Sequence, residues 1–217
     1  MRVGIIGGTG PAGRALAARL AAVGVEVVVG SRSKERAAST CEGIRQKWPH
    51  RRLWLEAGDN AEAARATLVV VATPWEAAPS TAASVGDDLV GKVVVSMANA
   101  LTRKGDEFEA LVPERGSVAA GVQEALPEAL VAAAFHHVPA RSLADLDTAI
   151  EGDVIVCSDH DRAFEATADL VRRIPNLRPL HGGSLVSAGP VEAFTAVLLG
   201  VNKRYKARSV VRLNGIP

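Results

Sequence analysis

At 217 residues, with 48% apolar residues and a formal net charge of +1, the chain suits one large domain or a dinucleotide domain with a small second one. That composition supports a packed core and excludes a disordered chain, and the balanced charge provides no global field to draw nucleic acid or an anionic membrane. Four Phe, three Trp and one Tyr are too few for base-stacking platforms. Cys41 and Cys157 lie far apart, in no metal or redox spacing. The N-terminus runs straight into a strand with no signal peptide, and no apolar run approaches the roughly 18 residues that would span a bilayer. A soluble cytoplasmic protein with reduced thiols, no metal site, and small molecules rather than nucleic acid or membrane as partners is expected.

Arg2 to Ile6 carries Val3-Gly4-Ile5-Ile6, a short buried strand. Gly8-Thr9-Gly10-Pro11-Ala12-Gly13 follows and fits G-x-G-x-x-G, here between a strand and a helix in a βαβ unit of suitable length. Gly8 allows the tight turn, Gly10 lets backbone approach a pyrophosphate, and Gly13 lets helix and strand pack closely. Free N–H groups at the helix start, aided by the helix dipole, hold phosphates. Pro11 costs little at a first helical position. The helix over Ala12–Ala22 shows Leu16 and Leu20 on one stripe, with Arg14 and Arg19 off it.

A second strand, Val25 to Val29, ends in Gly30-Ser31-Arg32. An NAD-preferring site places Asp or Glu there, on the ribose 2′-OH. This chain instead offers Ser31, Arg32, Ser33, Lys34 and Arg36. Cations at a helix start oppose the dipole unless an anion offsets them, and a 2′-phosphate is such an anion, so NADP(H) is the better reading.

A helix over 34–46 follows, then a basic loop from Arg45 to Arg52, a short third strand at Leu53–Leu55 and a short helix at Ala61–Ala66. Leu68 to Ala72 is a run of β-branched residues without polar alternation, suited to a parallel strand buried on both faces. Thr73-Pro74-Trp75-Glu76 leaves its carboxyl end, where ligands of open α/β sheets bind. Trp75 either walls off an aromatic ring or fills a helix–sheet corner. Lys92–Ser96 is a further strand, with Met97-Ala98-Asn99-Ala100 as its exit loop. The alternation predicts an α/β fold, a Rossmann-type doubly wound parallel sheet.

Leu101–Pro113 is charged and irregular, Ser117–Leu126 a helix, and Leu130–Phe135 a strand that delivers His136-His137-Val138-Pro139-Ala140 to the same edge. Past Arg141 the pattern changes: a strand at Val154–Cys157, a helix at Asp161–Arg173, an extended piece at Leu177–Leu180, and a turn at His181–Ser184. A long helix, Pro190–Arg204, turns Phe194, Val197, Leu198 and Val201 inward, and the closing cations Lys203, Arg204, Lys206, Arg208 and Arg212 form a solvated face. The division is a dinucleotide-binding domain over 1–140 and a small α+β lobe over 141–217 that caps the crevice.

These residues together resemble the NADPH-dependent reductases of coenzyme F420, nearly end to end. The resemblance is carried by Gly7-Gly8-Thr9-Gly10, Val29-Gly30-Ser31-Arg32, Thr73-Pro74-Trp75-Glu76, Phe135-His136-His137-Val138-Pro139-Ala140, Leu177-Arg178-Pro179-Leu180 and Gly183-Ser184-Leu185. It implies two cofactors face to face. NADP(H) would lie along Gly8, Thr9, Gly10, Pro11, Ala12 and Gly13, with Ser31, Arg32 and Arg36 at the 2′-phosphate. Thr73, Trp75, Asn99 and Ala140 would border the nicotinamide. The deazaflavin would fill the cleft near Met97, His136, Val138 and the 183–190 turn, with His136 orienting it. Its acidic tail, a phosphate followed by glutamates, gives the basic stretch Arg45–Arg52 a purpose. The family also implies a homodimer joined through the C-terminal lobes.

Such a site needs no side-chain acid or base: hydride transfer requires two rings in contact in a dry pocket. Two readings compete, an NADP(H)-dependent imine or ketone reductase related to pyrroline-carboxylate reductases, and a non-catalytic NADP(H)-sensing module.

Overall fold

Residues 3–6, 27–31, 68–71, 93–96 and 131–133 are buried without exception, which only strands covered on both faces allow. The computed structural model, which describes residues 1–216, sets them side by side. In chain order the first half runs β1 (Arg2–Ile6), α1 (Pro11–Ala22), β2 (Glu26–Ser31), α2 (Lys34–Lys47), β3 (Leu55–Asp59), α3 (Asn60–Ala64), β4 (Leu68–Val71), α4 (Ala78–Ala83) and β5 (Val93–Ser96). The second half runs β6 (Leu101–Lys104), β7 (Glu107–Ala110), α5 (Val118–Ala125), β8 (Leu130–Ala133), α6 (Ala140–Leu143), β9 (Gly152–Ser158), α7 (Asp161–Arg172), β10 (Leu177–Gly183) and α8 (Ala188–Tyr205).

Eight strands form one sheet in the order β10-β9-β8-β5-β4-β1-β2-β3, parallel except where β9 meets β8. Ile6 pairs with Val71, Val71 with Ser96 and Ser96 with Ala133, so these strands end level. The loops after them therefore open along one edge. Apolar clusters cover both faces, one around Leu16, Leu20, Ile44 and Leu170, the other around Ile6, Leu89, Val122 and Leu185. At Gly4 a Cβ would fall 1.8 Å from the Ala63 carbonyl oxygen, so α3 rests directly on β1.

Five expectations change. The third strand begins where the sequence suggested it would end: Leu55–Asp59 pairs with Val27–Ser31 despite its Glu, Gly and Asp, because an edge strand tolerates polar side chains. The charged stretch after β5 is a hairpin, β6 against β7, apart from the main sheet. The chain past 140 does not build a sheet of its own, since β9 and β10 extend the first one. Arg19 points inward, where its guanidinium donates to the carbonyls of Leu143 (3.1 Å), Ser142 (2.8 Å), Asp145 and Thr148 (3.2 Å).

The fifth change concerns α8. Residues 185–205 reach a mean hydropathy of 1.4, long and apolar enough to cross a membrane, contrary to the sequence reading. In the structure this helix lies across the carboxyl edge of the sheet. It buries Ala188, Glu192 and Thr195, while Phe194, Val197, Val201 and Tyr205 are exposed. Of the stripe expected to face inward, Phe194, Val197 and Val201 face out and Leu198 is half-buried.

Glu192 fastens α8 to the rest. Its carboxylate accepts from the backbone N–H groups of Val118 (2.9 Å) and Ala119 (3.2 Å), the open start of α5. Burial pushes its carboxyl up to about 7, and those two N–H groups offset only part of that. A group whose pKa is higher folded than unfolded stabilises the fold fully below its unfolded value and loses that contribution as pH rises through the folded one. Glu192 should therefore contribute up to roughly 3 kcal/mol of stability near pH 5 that is gone by about pH 8, against the opposite slope of the buried His136 and His137, whose lowered pKa values make stability rise with pH up to about 6.5. The stability of the wild type relative to Glu192→Gln should fall by that amount over the window by calorimetry, the histidine contribution being common to both; a difference that stays constant with pH would remove Glu192 as its source.

Candidate functional site at the carboxyl edge of the sheet

The chain leaves β1 through Gly7, whose φ of +72° belongs to glycine. The Gly8 N–H donates to the carbonyls of Ile5 (3.1 Å) and Gly30 (2.9 Å), binding the turn to the end of β2. Gly10 caps α1 with no side-chain bond, and Pro11 opens the helix. A Cβ at Gly13 would stand 2.8 Å from Gly8 Cα and 2.9 Å from the Gly7 oxygen, so the packing admits glycine only. Thr9, Pro11 and Ala12 lie around this bare helix start as the sequence predicts.

A cavity of about 310 Å³ opens over the turn. Thr9 and Gly10 line it, with Ser31, Arg32 and Arg36 at one end and Thr73 with Pro74 at the other. The cations divide into two kinds. Lys34 Nζ is 2.7 Å from Glu62 and 3.5 Å from Asp59, and the hydrogen bond to Glu62 raises its pKa above the ordinary lysine value. Asp59 and Glu62 also form the capping box of α3. Lys34 is thus committed to carboxylates, whereas the Arg32 and Arg36 guanidinium groups have no partner among the described residues. Ser31 is buried and its hydroxyl accepts from the Ser33 N–H (3.3 Å). Thr73 Oγ1 is buried in the cavity wall with no partner among the described residues. A glycine-only backbone, two uncompensated guanidinium groups and an orphaned hydroxyl fit a phosphate-bearing dinucleotide.

Two polar lining residues escaped sequence reading. Asn60 Oδ1 accepts from the Gly7 N–H (3.4 Å), and Thr81 of α4 faces the cavity. The Asp59-x-x-Glu62 capping pattern marked the helix start that carries Asn60.

Beyond Thr73 the predicted residues separate. Trp75 packs against the apolar cluster of its face and is not among the residues lining the cavity. Met97 and Val138 belong to the core cluster and are nearly covered. Asn99 Nδ2 donates to the His136 carbonyl (3.0 Å), and Thr195 Oγ1 of α8 bonds both Asn99 Oδ1 (3.3 Å) and that carbonyl (3.2 Å). The Asn99 side chain, which the resemblance sets beside the nicotinamide, ties two strand-exit loops to α8. Ala140 opens α6 and is half-buried.

The loop after β8 turns through Phe135, a buried residue at φ +64°, a strained conformation for an aromatic side chain. His136 follows, its two ring nitrogens buried and unpartnered, and burial beside His137 lowers its pKa to about 3. His137 meets it edge-on at 5.7 Å and accepts from the Ile155 N–H (3.1 Å). His136 is thus a neutral ring at physiological pH.

The basic stretch Arg45–Arg52 sits elsewhere. Arg51 bonds Asp147 (2.9 Å) and the Leu146 carbonyl (3.0 Å), Arg45 donates to the Leu55 carbonyl, and Arg52 lies 4.1 Å over the Trp54 ring. These contacts tie it to the turn beyond α6 and to β3, away from the strand exits.

The chain's relatives agree with this geometry. A family model described as NADP oxidoreductase coenzyme F420-dependent matches residues 2–100. The F420-dependent NADP reductase of Methanocaldococcus jannaschii is 35% identical over 215 residues, covering 96% of this chain and 95% of that one. Its namesake from Methanothermobacter thermautotrophicus is 31% identical over 227 residues, covering 100% and 96%. A solved structure from Arthrobacter sp. FB24, described as a candidate F420-dependent NADP-reductase, superposes with a TM-score of 0.81 over 97% of this chain and 98% of that one, at 23% identity. With relatives this similar over their full length, the chain belongs to the F420-dependent NADP reductase family.

Proposed function

We propose that this chain transfers a hydride reversibly between NADP(H) and coenzyme F420. The observation that carries the reading is the pair of uncompensated guanidinium groups, Arg32 and Arg36, at the end of the cavity over the glycine turn in a member of this family. When both are bound, the nicotinamide and the deazaflavin supply the redox chemistry, and no side-chain proton donor is needed at the reacting carbons.

The backbone from Gly8 to Gly13 holds the pyrophosphate, and Ser31, Arg32 and Arg36 hold the 2′-phosphate. Thr73 Oγ1, with Asn60 beside it, gives the nicotinamide end a polar partner. Met97, His136 and Val138 form the floor of the deazaflavin cleft, and Ala140 its border with the nicotinamide. His136 is an orienting residue: a neutral, dry ring fixes a neighbour without exchanging protons. Thr195, through Asn99, keeps α8 closed over that floor and excludes water. Residues 1–140 are the nucleotide half, and 141–217 the half that caps the cleft. Two buried thiols, Cys41 and Cys157, suit a cytoplasmic protein.

The outward stripe of Phe194, Val197, Val201 and Tyr205 supports self-association through α8. Val197→Glu should shift the wild-type dimer towards monomer in sedimentation velocity; a wild-type chain that runs as a monomer ends this reading.

Anaerobic mixing of the protein with NADPH and oxidised F420 should bleach the deazaflavin absorbance rapidly, and NADH should do so poorly. A protein that binds NADPH but bleaches nothing would be a sensor or an imine reductase instead. In the same assay His136→Ala should slow turnover or weaken F420 affinity; a variant equal to wild type would strip His136 of its orienting role. Arg32→Ala and Arg36→Ala should each raise the KM for NADPH by about 10- to 100-fold, the worth of a charge-assisted hydrogen bond, with little change for NADH. Equal losses with both nucleotides would place these arginines away from the 2′-phosphate.

A further inference from the structure

Lys203 and Arg208, expected to be solvated, face a second cavity instead. It measures about 500 Å³ and lies between the β6–β7 hairpin, the start of α6 and the end of α8. Phe108, Pro139 and Leu199 give it apolar walls, and Arg103, Arg141, Lys203 and Arg208 give it charge. We propose that this pocket binds the acidic tail of the deazaflavin co-substrate, its phosphate and the carboxylates beyond it. The proposal rests on the F420 reading of the preceding section.

The charge count carries the argument. Asp106 is the one carboxylate in the lining, and it is shared by Lys203 (2.8 Å) and Arg103 (3.7 Å). Arg208 pairs with Asp145 (3.2 Å), which is not part of the lining, and Arg141 has no partner among the described residues. Four cations face two carboxylates, Asp106 and the Asp145 that holds Arg208, which leaves a surplus of two positive charges in a concave, partly apolar site, where field lines concentrate. A solvated face would spread that charge over a convex surface.

Position carries the rest. Pro139, Ala140 and Arg141 continue the loop whose His136 and Val138 form the cleft floor. Three Cα steps separate Val138 from Arg141, at most about 11 Å of chain. A ligand with its ring on that floor reaches the pocket with the chain that trails from the ring. This pocket shares no lining residue with the cavity at Arg32 and Arg36, so the nucleotide phosphates and the tail have separate cationic sites.

The test compares F420 with its tail-less deazaflavin riboside, titrated into the full-length protein and followed by deazaflavin fluorescence at low and moderate salt. F420 should bind about tenfold tighter than the riboside, with an advantage that shrinks as salt is added. Arg141→Glu breaks no observed bond, and Arg141→Ala with Lys203→Ala removes two of the cations. Either should abolish that advantage and its salt dependence, while riboside and NADPH affinities stay at the wild-type level. An F420-to-riboside ratio that survives both variants overturns the proposal. If neither deazaflavin binds while NADPH does, the F420 reading itself falls and takes this site with it.

Discussion

The in-register ending of the parallel strands is the constraint on which the remaining features depend. Because β1, β4, β5 and β8 stop level, the glycine turn, the Thr73 loop, the Asn99 loop and the His136 loop meet along one line. Strands buried on both faces cannot slip by one residue without turning core valines into mismatched neighbours, so the alignment is held by packing. Function then resides in exit loops that the core cannot move. Polar bonds do the closing work: Glu192 and Thr195 attach α8 where an all-apolar face would bind without specifying register.

The same economy governs charge. Around the end of β2 the cations are equivalent in sequence, and the fold distinguishes them. Lys34 answers Glu62 and Asp59 on α3, which leaves Arg32 and Arg36 as the uncompensated pair. At the hairpin Asp106 plays the equivalent part, holding Lys203 and Arg103 near each other at the mouth of the second cavity. In both places a carboxylate within a basic group arranges the cations and does not cancel them.

What could be read in the chain followed from strong local signals. The β-branched runs and the glycine turn give the parallel sheet, the bare helix start at its edge and the cavity end formed by Ser31 with its arginines, since each rests on residues adjacent in sequence. The misreadings share one cause, a partner distant along the chain. Arg19 looks solvent-facing on its own helix because its carbonyl partners lie more than a hundred residues later. The apolar stripe of α8 looks like a core face because nothing in the local pattern shows that Glu192 and Thr195 have polar partners at Val118 and Asn99. Leu55–Asp59 lacks strand propensity and becomes a strand only because β2 offers an unpaired edge. The short hairpin is the one exception, since its two strands pair with each other locally and the charged residues along them hide it.

Arg19 has one more consequence. Its guanidinium joins the last turn of α1 to the four carbonyls that end α6 and the turn beyond it. The helix whose start faces the first cavity and the helix whose start borders the second are thereby one rigid body. The separation of the two cavities is set like the span of a caliper whose jaws have been locked, a built-in dimension of the protein that no hinge has to reproduce at each turnover.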